Sequence, residues 1–111
     1  MLLRRQLMLA CALAVLLACG RSAEHKLVGE WTVRGEAGSR IVYRSDHTFA
    51  ASLPTVVGAV FSPRGTWRIE GDQIVTTLEN GESKDTIVLL TDHMLKFKTA
   101  RGGVLECERI K

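Results

Sequence analysis

The side chains best suited to acid–base or metal chemistry are three histidines, His25, His47 and His93, and three cysteines, Cys11, Cys19 and Cys107. Two of the histidines follow an aspartate, in Asp46-His47 and Asp92-His93. Such a pair offers a carboxylate and an imidazole for proton transfer or for a metal ion. The surrounding residues favour a plainer role. Both pairs sit between apolar strand-like runs, where aspartate accepts local backbone hydrogen bonds and histidine tolerates positive φ. The ligand spacing of a structural metal site is missing, and no serine, threonine or cysteine has a recognisable base partner. Metal, cofactor and catalytic residues are therefore all expected to be none, and the chain reads as a non-enzyme.

The cysteines divide by position. The chain opens with a short basic region ending at Arg4-Arg5, followed by an uncharged run from Gln6 to Ala18. This pattern describes a helical secretory signal peptide, too short to span a hydrocarbon core of about 30 Å. Leu16-Leu17-Ala18-Cys19 at its end resembles the bacterial lipobox, with Leu17 where Ala, Ser or Thr is usual. The resemblance implies cleavage after residue 18 and lipid attachment at Cys19, giving a membrane anchor through acyl chains. The competing reading is an ordinary cleaved signal that contains a cysteine. Gly20, rather than an aspartate, follows Cys19. By resemblance to lipoprotein sorting this implies the outer membrane of a bacterial envelope, facing the periplasm. Cys11 would leave with the leader. Cys107 then remains alone, and is expected to be a small buried hydrophobe in the last strand.

Removing 18 residues from 111 leaves 93, enough for one domain with a modest core. Two of the 15 basic residues leave with the leader and none of the 12 acidic ones, so 13 face 12 and the net charge is +1. No basic face is concentrated anywhere, which argues against a nucleic-acid partner.

Residues 19–26 read as a lipidated tether and 27–111 as one β domain. Leu27–Arg34 alternates Leu27, Gly29, Trp31 and Val33 against Val28, Glu30, Thr32 and Arg34, the period of a half-buried strand. Further runs follow at Ser39–Arg44, Thr48–Leu53, Gly65–Glu70, Gln73–Glu79, Ser83–Thr91, Met94–Thr99 and Val104–Ile110. Asn80-Gly81 is the strongest hairpin signal, suggesting a type I′ turn. Ile87-Val88-Leu89-Leu90 is apolar on both faces, so both faces are expected to be covered. Pro54–Pro63 is apolar but unpatterned, and reads as an extra strand, a short helix or a flap. Strands every 8–12 residues or so argue an antiparallel sandwich or barrel. Eight in simple succession would make an up-and-down barrel without exposed edges.

Gly29-Glu30-Trp31 resembles the Gly-x-Trp opening of lipocalins and of small bacterial lipocalin-like domains. Gly65-Thr66-Trp67-Arg68-Ile69-Glu70-Gly71-Asp72 resembles the mid-domain hairpin of the latter group. Ser45-Asp46-His47-Thr48-Phe49 resembles its Asp-Gly-Thr-Phe turn, with His47 in place of glycine. The likeness implies an all-β, lipocalin-like barrel. Length and the lack of a Thr-Asp-Tyr-type motif set the chain apart from full lipocalins and put a deep cavity in question. In the last strand, Arg109 shares a face with Leu105 and Cys107, and an inward guanidinium requires a partner. The resemblance implies that Arg109 packs over Trp31 beside Gly29, closing the barrel, at about 0.5–2 kcal/mol as a cation–π contact. The competing reading leaves Arg109 at a frayed end in solvent.

Val56, Val57, Val60 and Phe61 are the candidate ligand contacts, either lining the barrel mouth or folded over it as a plug. Two functions follow. One is an envelope lipoprotein binding a small apolar ligand or lipid. The other is a non-catalytic interaction or structural module for an envelope protein. Interior volume discriminates them: a barrel filled by Trp31, Tyr43, Phe49, Trp67, Leu78, Leu90, Leu95 and Phe97 leaves no room, whereas about 300 Å³ or more favours binding.

Overall fold

The structure is a computed structural model and describes residues 23–54 and 58–111. The leader, Cys19, Val56 and Val57 lie outside the described residues. Nine strands follow in chain order: β1 Gly29–Val33, β2 Arg40–Tyr43, β3 Thr48–Pro54, β4 Val60–Phe61, β5 Arg64–Glu70, β6 Gln73–Leu78, β7 Gly81–Leu90, β8 Met94–Lys98 and β9 Val104–Arg109. Eight of them form a closed antiparallel meander in which each strand pairs with its neighbours in the chain, β4 excepted. The ring closes where β1 meets β9, with Trp31 opposite Arg109 and Val33 opposite Cys107. β4 is a two-residue addition to the upper part of β3, pairing Phe61 with Leu53. Within the unpatterned stretch, Val60 and Phe61 thus form a short extra strand.

Alternation builds the core. Trp31 and Val33 of β1, Ile41 and Tyr43 of β2, Phe49 and Ala51 of β3, Leu95 and Phe97 of β8 and Cys107 of β9 all point inward and are buried. Each large apolar side chain taken from water stabilises by about 1.5–3 kcal/mol, which offsets the ordering of short strands. Gly65 permits the closest strand approach: a Cβ there would collide with the Thr77 carbonyl oxygen of β6.

Three local readings are corrected. Residues 23–27 coil into one helical turn, so Leu27 ends that turn instead of opening the first strand, and it is fully buried beneath the barrel. The β6–β7 hairpin is present, but Leu78 pairs with Gly81, so its two loop residues are Glu79 and Asn80. Gly81 then stands in β7 with φ 135°, and among the described non-glycine residues only His47 has positive φ. A type I′ turn over Asn80-Gly81 is therefore not formed. Finally, the doubly apolar face of β7 is not covered on both sides. The β7–β8 register slips between Ile87 and Leu89, a bulge that inserts one residue. Ile87 faces in opposite Phe97 and Leu90 opposite Leu95, while Val88 and Leu89 turn outward, 59% and 40% exposed.

Candidate functional site

The two ends of the barrel are built differently. One end carries the helical turn, the β2–β3, β5–β6 and β7–β8 turns and the C-terminus, and it is latched shut. The Trp31 indole donates to the Leu27 carbonyl at 2.9 Å, and the Trp67 indole donates to the Arg44 carbonyl at 3.0 Å. The Arg109 guanidinium lies 4.4 Å from the Trp31 ring centroid. Its Nε donates to the Asp92 carbonyl at 2.5 Å, its Nη1 to the Val28 carbonyl at 2.9 Å, and its Nη2 to the Lys26 carbonyl. One planar cation thus ties the helical turn, the residue leading into β1 and the β7–β8 turn together, because its forked donors can serve several carbonyls at once. Gly29, with φ 144°, leaves the space this requires. A Cβ there would strike Arg109 Nη1 and the Lys111 carbonyl.

The Asp-His pairs belong to this closed end. Asp46 Oδ1 accepts from the Thr48 amide at 3.0 Å and from the Thr48 hydroxyl at 2.6 Å. Those bonds, the hydroxyl first, hold its carboxyl below the usual carboxylate range. His47 occupies the left-handed region at φ 66° and sets its ring edge-on to Trp67, with centroids 4.9 Å apart. The imidazole is 3.7 Å from a Glu24 carboxylate oxygen. His93 is exposed, and its carbonyl accepts from the Arg109 amide at 2.9 Å. His25 is exposed on the helical turn. Among the described residues no three of His, Cys, Asp and Glu come together as a metal site would require.

Among the described residues the opposite end is open. Between the β1–β2, β6–β7 and β8–β9 turns lies a cavity of about 290 Å³. Its wall is mainly apolar, supplied by Ile41, Phe49, Leu53, Leu78, Phe97 and Leu105, with Pro63 at the rim. Tyr43 forms the floor, 5.4 Å from Phe49 and edge-on to Trp67 at 5.7 Å between centroids. The polar lining is small: Thr76 of β6, Ser83 and Asp85 of β7, Glu36 and Thr99. Asp85 is half-buried, and desolvation pushes its carboxyl above the usual range. Burial and, next, the nearby Asp85 charge push the Tyr43 phenol up as well.

Val60 and Phe61 stand on β4, 63% and 55% exposed, and the cavity wall is made without them. The closure set of Gly29, Trp31 and Arg109 is brought together at the other end. The polar lining carried no apolar mark in the sequence. Its signal lay in parity: Ser83 and Asp85 occupy the same alternate positions of β7 as the inward Ile87.

The geometry has counterparts among solved structures. A lipocalin-like protein from Bacteroides uniformis superposes with a TM-score of 0.57 at 16% identity, covering 76% of this chain and 97% of its own. This chain has a lipocalin-like fold. An uncharacterized protein from Bacteroides eggerthii superposes similarly, with TM-score 0.59, 16% identity, and 75% and 98% of the two chains covered. No protein-family model and no curated protein matches the sequence. Among the described residues this lipocalin-like barrel has one latched end and one open cup.

Proposed function

We propose that this chain is a non-catalytic lipoprotein of the bacterial envelope, held to the membrane through Cys19, whose barrel binds a small ligand with an apolar body. The observation that carries the ligand reading is the open cup of about 290 Å³ with its mainly apolar wall. That volume stands at the lower end of the range for small-molecule sites, roughly 300–1,000 Å³, so the ligand is compact. The inward aromatic side chains fill the closed half, yet they leave the upper half unfilled, which favours binding over the interaction-module reading. The anchor reading rests on the leader and on Leu16-Leu17-Ala18-Cys19, with the outer membrane facing the periplasm as the location.

Two measurements test this. An uncharged fluorescent probe such as N-phenyl-1-naphthylamine should brighten on titration with the purified protein, and Phe97→Asp and Leu53→Asp should each abolish the response. A probe response that survives both substitutions places binding elsewhere and overturns the cavity reading. Intact-mass analysis of protein from its own membrane should show acyl chains on Cys19, and Cys19→Ala should release the protein from the detergent phase in phase partitioning. An unacylated Cys19 overturns the anchor.

A further inference from the structure

The charge inside the cup is one-sided. The whole chain has more Lys and Arg than Asp and Glu, 15 against 12. Among the described residues the cavity lining nevertheless includes two charged side chains, both acidic, Glu36 near the mouth and Asp85 within, and no Lys, Arg or His. Asp85 faces in from β7 between Ser83 and Ile87, and no ion pair to it is formed among the described residues. Asp85 pairs with Ile74 of β6, and the nearby lysines, Lys84 before it on β7 and Lys98 opposite Thr86 on β8, are exposed on the outer face. A half-buried carboxylate without a counter-charge is a cost to the free protein, and a ligand bearing the opposite charge would remove it.

Resting on the ligand-binding reading above, we propose that the cup selects a small organic cation: a compact apolar body with a protonated amine that meets the Asp85 carboxylate. Three further features fit this head group. The hydroxyls of Thr76 and Ser83, register partners across β6 and β7, line the same wall and can accept from an ammonium. The rings of Tyr43, Phe49 and Phe97 also line the cavity, and aromatic faces attract an alkylammonium. Glu36 at the mouth adds attraction during approach. A carboxylate ligand such as a fatty acid meets two like charges instead, and none of the lining side chains can neutralise it.

Three probes of one length separate the outcomes: octylamine, 1-octanol and octanoate, each titrated calorimetrically into the purified protein at pH 7 and moderate salt. Octylamine is expected to bind at least ten-fold more tightly than 1-octanol, and octanoate more weakly than either. Asp85→Asn should reduce the amine-to-alcohol ratio about ten-fold, with circular dichroism confirming the barrel. Octanoate binding as tightly as octylamine, or an unchanged ratio in Asp85→Asn, overturns the cation selectivity while leaving the cavity reading intact. Binding of none of the three overturns the cavity reading and this inference with it.

Discussion

Replacing Arg109 by methionine tests the closure of the barrel most directly. Methionine keeps much of the aliphatic length over Trp31 but removes the charge and all the donors. Three carbonyls, of Lys26, Val28 and Asp92, lose the Arg109 donors together, and a fourth, of Lys111, keeps the Glu30 amide. A hydrogen bond from a charged group contributes about 1.5–3 kcal/mol when buried. Arg109 is only half-buried, and water replaces part of that, so about 0.5–1 kcal/mol per bond is the fitting value. The ring contact at 4.4 Å adds about 0.5–2 kcal/mol. The total loss is about 2–5 kcal/mol, a large share of the stability of roughly 5–15 kcal/mol usual for a domain. With a urea slope of about 1.5 kcal/mol/M, the unfolding midpoint should fall by roughly 1–3 M. Arg34→Met is the control. Arg34 also pairs across β1 and β9, with Glu106 at 3.2 Å and Glu108 at 3.8 Å, but its side chain is 62% exposed. Exposed pairs contribute about 0–1 kcal/mol, so the control should shift the midpoint little. Urea denaturation followed by tryptophan fluorescence reads both variants. Equal losses in the two would refute the argument, because they would make the guanidinium over Trp31 no more than a surface charge.

Further outcomes follow from the buried and half-buried titrating groups. Cys107 is fully buried, and its thiol is pushed up to about 11, by desolvation first and by Glu36 second. Peptide mapping after a maleimide pulse at pH 8 should find Cys107 labelled about a hundred-fold more slowly in folded than in unfolded protein, and comparable labelling would contradict its burial. Asp85 has a folded pKa raised above its unfolded value. Its ionisation therefore opposes folding above the folded pKa, and that penalty disappears as pH falls below the unfolded value of about 3.9. Asp85→Asn should melt higher than the parent at pH 7 and close to it at pH 3.5. A difference in Tm that is the same at both pH values would show that Asp85 is not desolvated.

The strands were readable in the sequence because one face of nearly every strand is dry and the other wet, so composition alternates with the pleat. Trp31, Tyr43, Phe49 and Phe97 marked the interior for that reason. Where the backbone departs from a regular pleat, the signal misleads. The single inserted residue in β7 turns Val88 and Leu89 to solvent, and a run of four apolar residues carries no mark of such an insertion. Asn80-Gly81 set the right hairpin but the wrong pair of loop residues, since Gly81 keeps its left-handed backbone inside β7. Leu27 follows the parity of β1, yet it is buried by a helical turn that a five-residue stretch cannot advertise through periodicity. The cup was legible only as a question of volume. Its polar wall escaped because Ser83 and Asp85 sit at inward positions where alternation alone predicts apolar side chains.

The seam between β1 and β9 joins residues about eighty positions apart. Until the last strand arrives, β1 and β8 both present bare backbone, and loss of those final residues would leave two open borders ready to pair with other molecules. The C-terminal tail, short as it is, therefore acts as the keystone that makes a ribbon into a vessel.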